Sequence, residues 1–200
     1  MHTNSKLLFD KFARPLFRSG IRVLEIGPDS YPSTFQKMVS MEEITWDTLD
    51  ICDSPSLTYA GSPLYFFPIQ SDTYDIVLSG QVIEHVARIW QWMRELARVT
   101  RPNGLVITIN PISWPYHEAP IDCWRIYPEG MKALCEDAGL SIERTFGGSL
   151  ELPKCRRYLP GRSPEHQPEI LRLFFSIAGL FGFPVEKSFD TITIARKRSE

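Results

Sequence analysis

The chain has 200 residues, of which 43% are hydrophobic and 23% charged, and its formal net charge at pH 7 is −2. Such values are typical of one soluble globular domain with a substantial core, and they argue against a duplex nucleic-acid partner, which usually requires a basic excess. The four cysteines have no C-x-x-C spacing, so neither a zinc knuckle nor a redox pair is indicated.

The N-terminus and the apolar stretches give no sign of a membrane partner. Charges at Lys6, Asp10 and Lys11 come too early for the apolar core of a secretory signal. The most apolar stretch, residues 170–183, contains Arg172 and is too short to span a bilayer. We therefore expect a soluble, cytoplasmic protein with reduced thiols.

Helical and strand patterns alternate along the chain. In chain order they predict a helix at residues 7–17, a strand at 21–26, a helix that begins near Pro32, strands at 44–49 and 74–78, a helix at 81–99 and a strand at 105–109. A helix at 128–138 and strands at 140–146 and 191–195 follow. Asp29 or Ser30 is the expected cap of the helix near Pro32. This alternation favours an open, mostly parallel α/β sheet with helices on both faces.

Polar residues and glycines collect where the predicted strands end. Gly27, Asp50, Gly80 and Asn110 all fall at such carboxyl ends, where open parallel sheets bind ligands. A glycine lets the backbone approach a ligand, and a carboxylate beyond the next strand can accept hydrogen bonds from ribose hydroxyls. The layout indicates a nucleoside-containing cofactor. A dinucleotide is disfavoured, because the phosphate-binding G-x-G-x-x-G is reduced to Gly27.

Four segments carry a resemblance to the class I S-adenosylmethionine-dependent methyltransferases, in particular the small-molecule, type 11-like branch. Val23-Leu24-Glu25-Ile26-Gly27 is similar to the first family motif, and Asp50 to the ribose-binding acid. Residues 74–86 resemble the fourth strand and its helix. Residues 96–108 resemble the fifth-strand motif, with Arg101-Pro102-Asn103-Gly104 where the family usually has Pro-Gly-Gly.

The resemblance implies a Rossmann-like, doubly wound, seven-stranded, mostly parallel sheet with a reversed C-terminal hairpin. It implies a single methyltransferase domain over residues 1–200, with an insertion at about residues 150–189 that could cap the acceptor site. It also implies S-adenosylmethionine as cofactor and S-adenosylhomocysteine as product. The residues expected to bind them are Glu25, Gly27, Pro28, Asp50, Ile51, Ser79, Gly80 and Gln81.

Two departures from the family pattern concern the cofactor. The usual G-x-G-x-G is reduced to Gly27, so the loop must hold a zwitterionic amino acid by other means, and Asp29 could meet its ammonium group. The acid that often contacts the adenine amino group has no clear counterpart after the third strand. Backbone groups and Tyr65 or Phe66 could hold the adenine instead.

The loop that follows the fifth strand is where many family members bind the methyl acceptor. A hydroxyl acceptor needs a general base, and histidine suits that role because its ordinary pKa of about 6.5 lies near working pH. His117 is the candidate base, with Glu118 or Asp122 orienting the imidazole. The alternative is that His117 and Asp122 only hold the loop in place, with Arg125 paired to Asp122.

Substrate-binding residues are expected in the same loop and at the start of the helix predicted at residues 81–99. The H-x-x-x-x-D-x-x-R pattern from His117 to Arg125 resembles family members linked to glycan or natural-product modification. Aromatic rings suit sugars or other rings, although they could instead cover the sheet edge. The expected acceptor-binding residues are His85, Trp114, Tyr116, Trp124 and Arg125.

No metal is expected. In some relatives an acid three residues before a Glu-His pair completes a divalent-metal site, but here that position is Gln81, and an amide is a poor ligand. His85 is therefore expected to pack near the cofactor or acceptor, or to cap the helix.

The insertion has two distinct parts. Lys154, Arg156, Arg157 and Arg162 could meet a phosphate on the acceptor, although a solvated face is favoured. The apolar helix expected at residues 169–181 could pack into the core, line the acceptor pocket or form a dimer contact, so a homodimer stays open.

The leading hypothesis is methyl transfer from S-adenosylmethionine to a hydroxyl of a small-molecule or glycan-type acceptor, without a nucleic-acid or membrane partner. A non-catalytic binding module with the methyltransferase fold is one alternative, motivated by the sparse glycines. A methyltransferase that acts on protein or RNA is the other, and the net acidity counts against it.

Overall fold

The computed structural model describes residues 2–118, 120–151, 170, 173–174, 177–178, 181 and 188–199. Its α-helices are α1 (Thr3–Leu8), α2 (Thr34–Val39), α3 (Ile89–Val99) and α4 (Pro128–Asp137). Its strands are β1 (Arg22–Ile26), β2 (Thr45–Leu49), β3 (Tyr74–Gly80), β4 (Thr100–Ser113), β5 (Leu140–Gly148) and β6 (Phe189–Lys197). The predicted α/β class is confirmed.

The strands form one mixed sheet in the order β2-β1-β3-β4-β6-β5. The pairs β2–β1, β1–β3 and β3–β4 are parallel, whereas β6 runs antiparallel to both β4 and β5. From β1 the chain moves outward to β2 and then returns past β1 to β3. The strand order therefore reverses between β1 and β3, and open sheets of this kind bind ligands at the carboxyl ends beside such a reversal.

The sheet has six strands in the part of the chain that the structure describes, not the seven that the family resemblance implied. Beside β2, Tyr59 forms only an isolated parallel bridge with Leu49. Pro63 and Pro68 follow in the same segment and lack the amide hydrogens that a longer ladder needs.

Both faces of the sheet are buried, which explains the nearly continuous apolar runs in the central strands. Leu24, Val77 and Val106 pack on the face covered by α3 and α4. Val23, Ile76 and Ile107, which alternate with them, pack on the other face against side chains of the N-terminal helical segment and α2. The core therefore consists of two apolar layers separated by the sheet.

The predicted helices at the two ends of the domain are confirmed, with shifted bounds. α1 continues into a π-helical turn, Phe9–Ala13, and a 3₁₀ turn, Arg14–Leu16. α4 begins at Pro128, as predicted, and Gly139 follows its end with a φ of +75°. A left-handed residue after a helix is most easily supplied by glycine.

The expected cap of α2 was wrong. Ser33 is its N-cap, and the Ser33 hydroxyl accepts a hydrogen bond from the Gln36 amide at 3.0 Å. Asp29 lies further upstream, but its carboxylate accepts hydrogen bonds from the Thr34 amide and hydroxyl at 2.9 and 2.7 Å. Asp29 thus ties the turn to the first residue of α2.

The predicted helix at residues 81–99 was wrong for its first eight positions. Gln81 has a φ of +60°, residues Ile83–His85 form a 3₁₀ turn, and Val86 is extended. The Glu84 carbonyl accepts a hydrogen bond from the Cys123 amide at 2.7 Å, and the Val86 carbonyl accepts one from Trp124 Nε1 at 2.9 Å. These contacts with the loop after β4 replace helical hydrogen bonds, so α3 begins only at Ile89.

The basic run from Lys154 to Arg162 lies outside the described residues, as does most of the apolar segment predicted as a helix at residues 169–181. Within the described part of the chain, no helix has the length and apolarity that crossing a membrane requires.

Candidate functional site

A cavity of about 270 Å³ lies at the carboxyl ends of β1 and β3, where the strand order reverses. It brings together several residues that the sequence predicted as cofactor or substrate contacts, namely Gly27, Asp50, Ile51, Gln81 and His85. The remaining wall is largely apolar and includes Ile26, Leu49, Leu64, Phe67, Val82 and Val86. The site thus combines an apolar slot with a few polar groups, as small-molecule sites usually do.

Gly27 brings the backbone directly to the cavity wall. It has a φ of +66°, which glycine adopts without strain, and its amide donates a hydrogen bond to the Leu49 carbonyl at 2.9 Å. A Cβ at this position would lie 2.4 Å from Cγ2 of Val82. Glycine is therefore required here both by the backbone conformation and by the close approach of Val82.

Glu25 is buried and is not among the cavity-lining residues. Its carboxylate accepts hydrogen bonds from the Ser33 hydroxyl at 2.5 Å and from Trp46 Nε1 at 2.9 Å. Burial raises the pKa of Glu25 to about 7. In this structure Glu25 connects β1, β2 and the start of α2.

Asp50 directly follows β2 and lines the cavity at the carboxyl end of that strand. One of its carboxylate oxygens accepts a hydrogen bond from the Cys52 amide at 2.9 Å. The Asp50 backbone is held by two further bonds, from its own amide to the Tyr59 carbonyl and from the Ser62 amide to its carbonyl. The carboxylate is thus fixed in place but remains partly exposed at the cavity.

Four of the predicted cofactor residues lie near the cavity in the sequence but do not line it. Pro28, Ser79 and Gly80, like Glu25, are not among the residues that line the cavity, although Gly80 and Gln81 lie next to each other at the end of β3. Gln81 does line it, and its amide donates to the Ile109 carbonyl at 2.7 Å. Its side chain points to Ser5 and Asp190 instead of towards Glu84 and His85.

A buried polar cluster around Asp190 was missed by the sequence analysis. The Asp190 carboxylate accepts hydrogen bonds from Asn4 Nδ2 at 2.7 Å, from Gln81 Nε2 at 3.1 Å and from the Ser5 hydroxyl at 3.5 Å. Asn4 and Ser5, Gln81 and Asp190 are far apart in the sequence, so no local spacing could have shown that they meet. The cluster anchors α1 against β6 beside the site.

Glu84, His85 and His117 come together next to the cavity. The His85 and His117 rings meet edge to face with centroids 5.0 Å apart, and Glu84 Oε1 lies 3.9 Å from His85 Nε2. Among the described residues, neither oxygen of the buried Glu84 carboxylate has a hydrogen-bond donor. Burial raises the pKa of Glu84 to about 8. Sequence reasoning singled out both histidines but did not connect them.

The predicted pair of His117 and Asp122 lies within contact distance. The Asp122 carboxylate accepts a hydrogen bond from the His117 backbone amide at 2.8 Å and lies 3.5 Å from His117 Nδ1. Glu118, the other candidate for orienting His117, accepts a hydrogen bond from the Tyr116 hydroxyl at 2.7 Å. Asp122 is therefore the acid that contacts His117.

Arg125 forms the bidentate ion pair with Asp122 that the alternative interpretation of the loop required. Its two terminal nitrogens lie 2.5 and 2.7 Å from the two carboxylate oxygens, and hydrogen bonds from Arg125 lower the pKa of Asp122 to about 2. Arg125 also donates to the Trp114 carbonyl at 3.3 Å. The pair stabilises the loop that carries His117.

The three aromatic residues predicted to bind the acceptor lie in different surroundings. The Trp114 ring contacts the His2 ring at 3.8 Å between centroids. Trp124 Nε1 donates a hydrogen bond to the Val86 carbonyl, and the ring centroids of Trp124 and Trp90 are 6.3 Å apart. Tyr116 is 71% exposed, so its ring is available for contact with another molecule.

Comparison with known proteins shows what this arrangement is similar to. A family model described as a methyltransferase domain matches residues 12–108. A segment of 40 residues is 52% identical to an uncharacterized methyltransferase of Mycobacterium bovis (strain BCG / Pasteur 1173P2) and covers 20% of this chain. The match spans only 16% of that relative's length.

Two solved structures share the fold over nearly the whole chain. A SAM-dependent methyltransferase from Archaeoglobus fulgidus is 17% identical with a TM-score of 0.62, and the alignment covers 96% of this chain and 94% of that one. The 1,6-didemethyltoxoflavin-N1-methyltransferase of Burkholderia thailandensis, solved with bound S-adenosylhomocysteine, is 11% identical with a TM-score of 0.61 and coverage of 98% and 77%.

Proposed function

Because the chain belongs to the class I S-adenosylmethionine-dependent methyltransferases, we propose that it transfers a methyl group from this cofactor to a hydroxyl of a small-molecule or glycan-type acceptor. The observation that carries the proposal is the cavity itself. Gly27 and Asp50 border one part of it, and His85, next to His117, borders another. Gly27 and Asp50 would hold the cofactor in the same cavity that His85 lines.

The cofactor side of the cavity offers the contacts that an adenosyl group needs. The fixed Asp50 carboxylate can accept hydrogen bonds from the ribose hydroxyls, and Gly27 allows the ligand to approach the backbone. Leu64, Phe67 and Val82 provide apolar surface suited to the adenine ring. Glu25, Pro28, Ser79 and Gly80 support this surface from the ends of β1 and β3.

Methyl transfer forms a carbon–oxygen bond to the acceptor and breaks the carbon–sulfur bond of the sulfonium, which leaves S-adenosylhomocysteine. The donor is intrinsically reactive, so the protein mainly aligns oxygen, carbon and sulfur. The hydroxyl must also lose its proton. We assign the proton to Nε2 of His117, because His117 Nδ1 lies 3.2 Å from the Pro115 carbonyl and must carry the hydrogen.

Asp122 and Arg125 hold the loop that places His117 beside His85. The Asp122 carboxylate contacts both the backbone amide and the ring of His117, and the bidentate ion pair with Arg125 fixes that carboxylate. The exposed Tyr116 ring and the partly buried rings of Trp114 and Trp124 provide flat, partly polar surfaces in the loop that carries His117. Such surfaces suit sugars and aromatic rings, which is why we favour acceptors of these two kinds.

The cofactor half of the proposal is tested by calorimetry with S-adenosylhomocysteine. We expect saturable binding to one site per chain. Absence of binding at about millimolar ligand, which corresponds to less than about 4 kcal/mol of binding free energy, would contradict the proposal.

The catalytic half is tested with labelled S-adenosylmethionine and a panel of sugar and phenol acceptors. We expect His117→Ala to lower kcat by about 10²–10⁴-fold while the affinity for S-adenosylhomocysteine stays unchanged. Asp122→Asn is the matched comparison, because it weakens the contacts that hold the loop but retains the His117 imidazole, so a smaller loss is expected. Equal losses in the two variants would show that His117 only holds the loop.

A further inference from the structure

Three groups with the chemistry of metal ligands meet beside the cavity, at His85. Glu84, His85 and His117 each offer one ligand atom, and these atoms all lie within 4.8 Å of one another. One carboxylate oxygen and two imidazole nitrogens suit divalent first-row transition metals, and a set of two histidines and one carboxylate leaves further positions open.

The histidine tautomers are set by the backbone. His85 Nδ1 lies 2.5 Å from the Ile121 carbonyl, and His117 Nδ1 lies 3.2 Å from the Pro115 carbonyl. A carbonyl only accepts, so each Nδ1 carries the hydrogen and each Nε2 keeps its lone pair. Metal-binding histidines are commonly oriented in this way, with the second nitrogen donating to a carbonyl or carboxylate.

Glu84 supplies an independent observation. Its side chain is 1% exposed, and among the described residues neither carboxylate oxygen accepts a hydrogen bond. His85 Nε2 lies 3.9 Å from Oε1, and the charges of Arg125, Asp122 and Asp190 also act on this carboxyl. A buried carboxylate without donors is unfavourable unless an ion or another group pairs with it.

We propose that Glu84, His85 and His117 bind a divalent transition-metal ion beside the cavity. The expectation that no metal binds rested on Gln81, whose side chain instead donates to Ser5 and Asp190. The third ligand comes from His117, which the loop after β4 brings back to the Glu-His pair.

The role of the ion rests on the proposed function. An ion with open positions can take the acceptor hydroxyl as a ligand and lower its pKa, so that the proton is lost to solvent before the methyl group is transferred. The ion uses the lone pair of His117 that accepts the proton in the ion-free protein. In the metal-loaded protein His117 therefore acts on the acceptor through the ion.

Cobalt(II) is a suitable probe, because it binds imidazole and carboxylate and its absorption bands report the ligands. The chelator-treated, untagged full chain is titrated with Co²⁺, and binding is followed by calorimetry and visible absorption. Cys52 and Cys123 are exposed and could bind the ion independently. The titration is therefore repeated with the variant that carries Cys52→Ser and Cys123→Ser, in which binding should be unchanged.

We expect one Co²⁺ per chain, a rise in melting temperature on binding, and at least about tenfold weaker binding in Glu84→Gln and in His117→Ala. If a variant does not fold, the rise in melting temperature of the wild-type chain on Co²⁺ binding still tests the inference. No binding at about millimolar Co²⁺, or equal binding in both variants, would overturn the inference. Calorimetry with S-adenosylhomocysteine in the presence of chelator tests the proposed function separately, so the two failures are distinguishable.

Discussion

The two sides of the cavity differ in how many hydrogen bonds their acidic side chains accept. On the cofactor side, Glu25 accepts hydrogen bonds from Ser33 and Trp46, and Asp50 accepts one from the Cys52 amide. On the acceptor side, Glu84 has no donor among the described residues. A buried polar group without a partner costs about 1–3 kcal/mol. Glu25 and Asp50 avoid this cost through their hydrogen bonds, whereas Glu84 does not.

This difference indicates two kinds of binding surface. The cofactor side is complete before any ligand arrives, because its charged groups are already held by the protein. The acceptor side is completed only when something binds to Glu84, His85 and His117. Changes on the first side should therefore affect cofactor affinity, and changes on the second should affect turnover, ion binding and the pH dependence of stability.

The largest expected effect on cofactor affinity is at Gly27. Gly27→Ala forces an L side chain into the left-handed region and places its Cβ 2.4 Å from Val82. We expect the affinity for S-adenosylhomocysteine to fall by about a hundredfold, or roughly 2.7 kcal/mol, measured by calorimetry.

Gly20→Ala is the matched control for Gly27→Ala. Gly20 also has a positive φ, of +79°, but a Cβ there would meet no atom within 4 Å. Gly20→Ala should lose a small amount of stability because of backbone strain. Its affinity for S-adenosylhomocysteine should be unchanged. Wild-type affinity in Gly27→Ala would show that the cofactor does not depend on this wall.

A smaller effect is expected from Asp50→Asn. The amide oxygen can still accept the bond from Cys52, but the charge that strengthens hydrogen bonds to ribose hydroxyls is lost. We expect about tenfold weaker binding of S-adenosylhomocysteine, close to 1.4 kcal/mol. Asp53→Asn, which changes an exposed acid in the same loop, should bind as the wild type does. Equal losses in both variants would point to a general effect of charge.

The smallest effect concerns pH and the acceptor side. The pKa of Glu84 is about 8 in the folded protein, against an ordinary value of 4.5. Between these values the native state keeps a proton that the unfolded chain has lost, so the wild type loses stability as pH rises. Glu84→Gln removes this dependence on pH. The unfolding free energy of the variant minus that of the wild type should therefore increase by on the order of 1 kcal/mol between about pH 5.5 and about pH 7.5.

Urea unfolding in the presence of chelator measures this difference. Glu25→Gln is the comparison on the cofactor side, because burial raises the pKa of Glu25 to about 7 but its carboxylate already has two donors. The difference in unfolding free energy between Glu25→Gln and the wild type should stop increasing near about pH 7. Its final value should be smaller than that of Glu84→Gln. A pH-independent difference for Glu84→Gln would mean that Glu84 is not protonated in the native state.

The sequence predicted the strands and α4 well, because local patterns determine them. Alternate residues of β1 and β3 face two buried layers, so an uninterrupted apolar run is unambiguous. Pro128 and Gly139 mark the two ends of α4 by their own backbone preferences. The start of α3 was predicted wrongly because contacts from Cys123 and Trp124 outweigh the helical periodicity of residues 81–88.

By itself, the sequence determined which residues stand at the carboxyl ends of the strands, and with them Gly27 and Asp50 at the cavity. Strand periodicity and glycine conformation are local properties of the chain, and they need no knowledge of distant contacts. Only the tertiary structure decided that Glu84, His85 and His117 meet, and that Asn4 reaches Asp190. Those encounters depend on how loops fold back over the sheet, which packing and hydrogen bonds between distant segments determine.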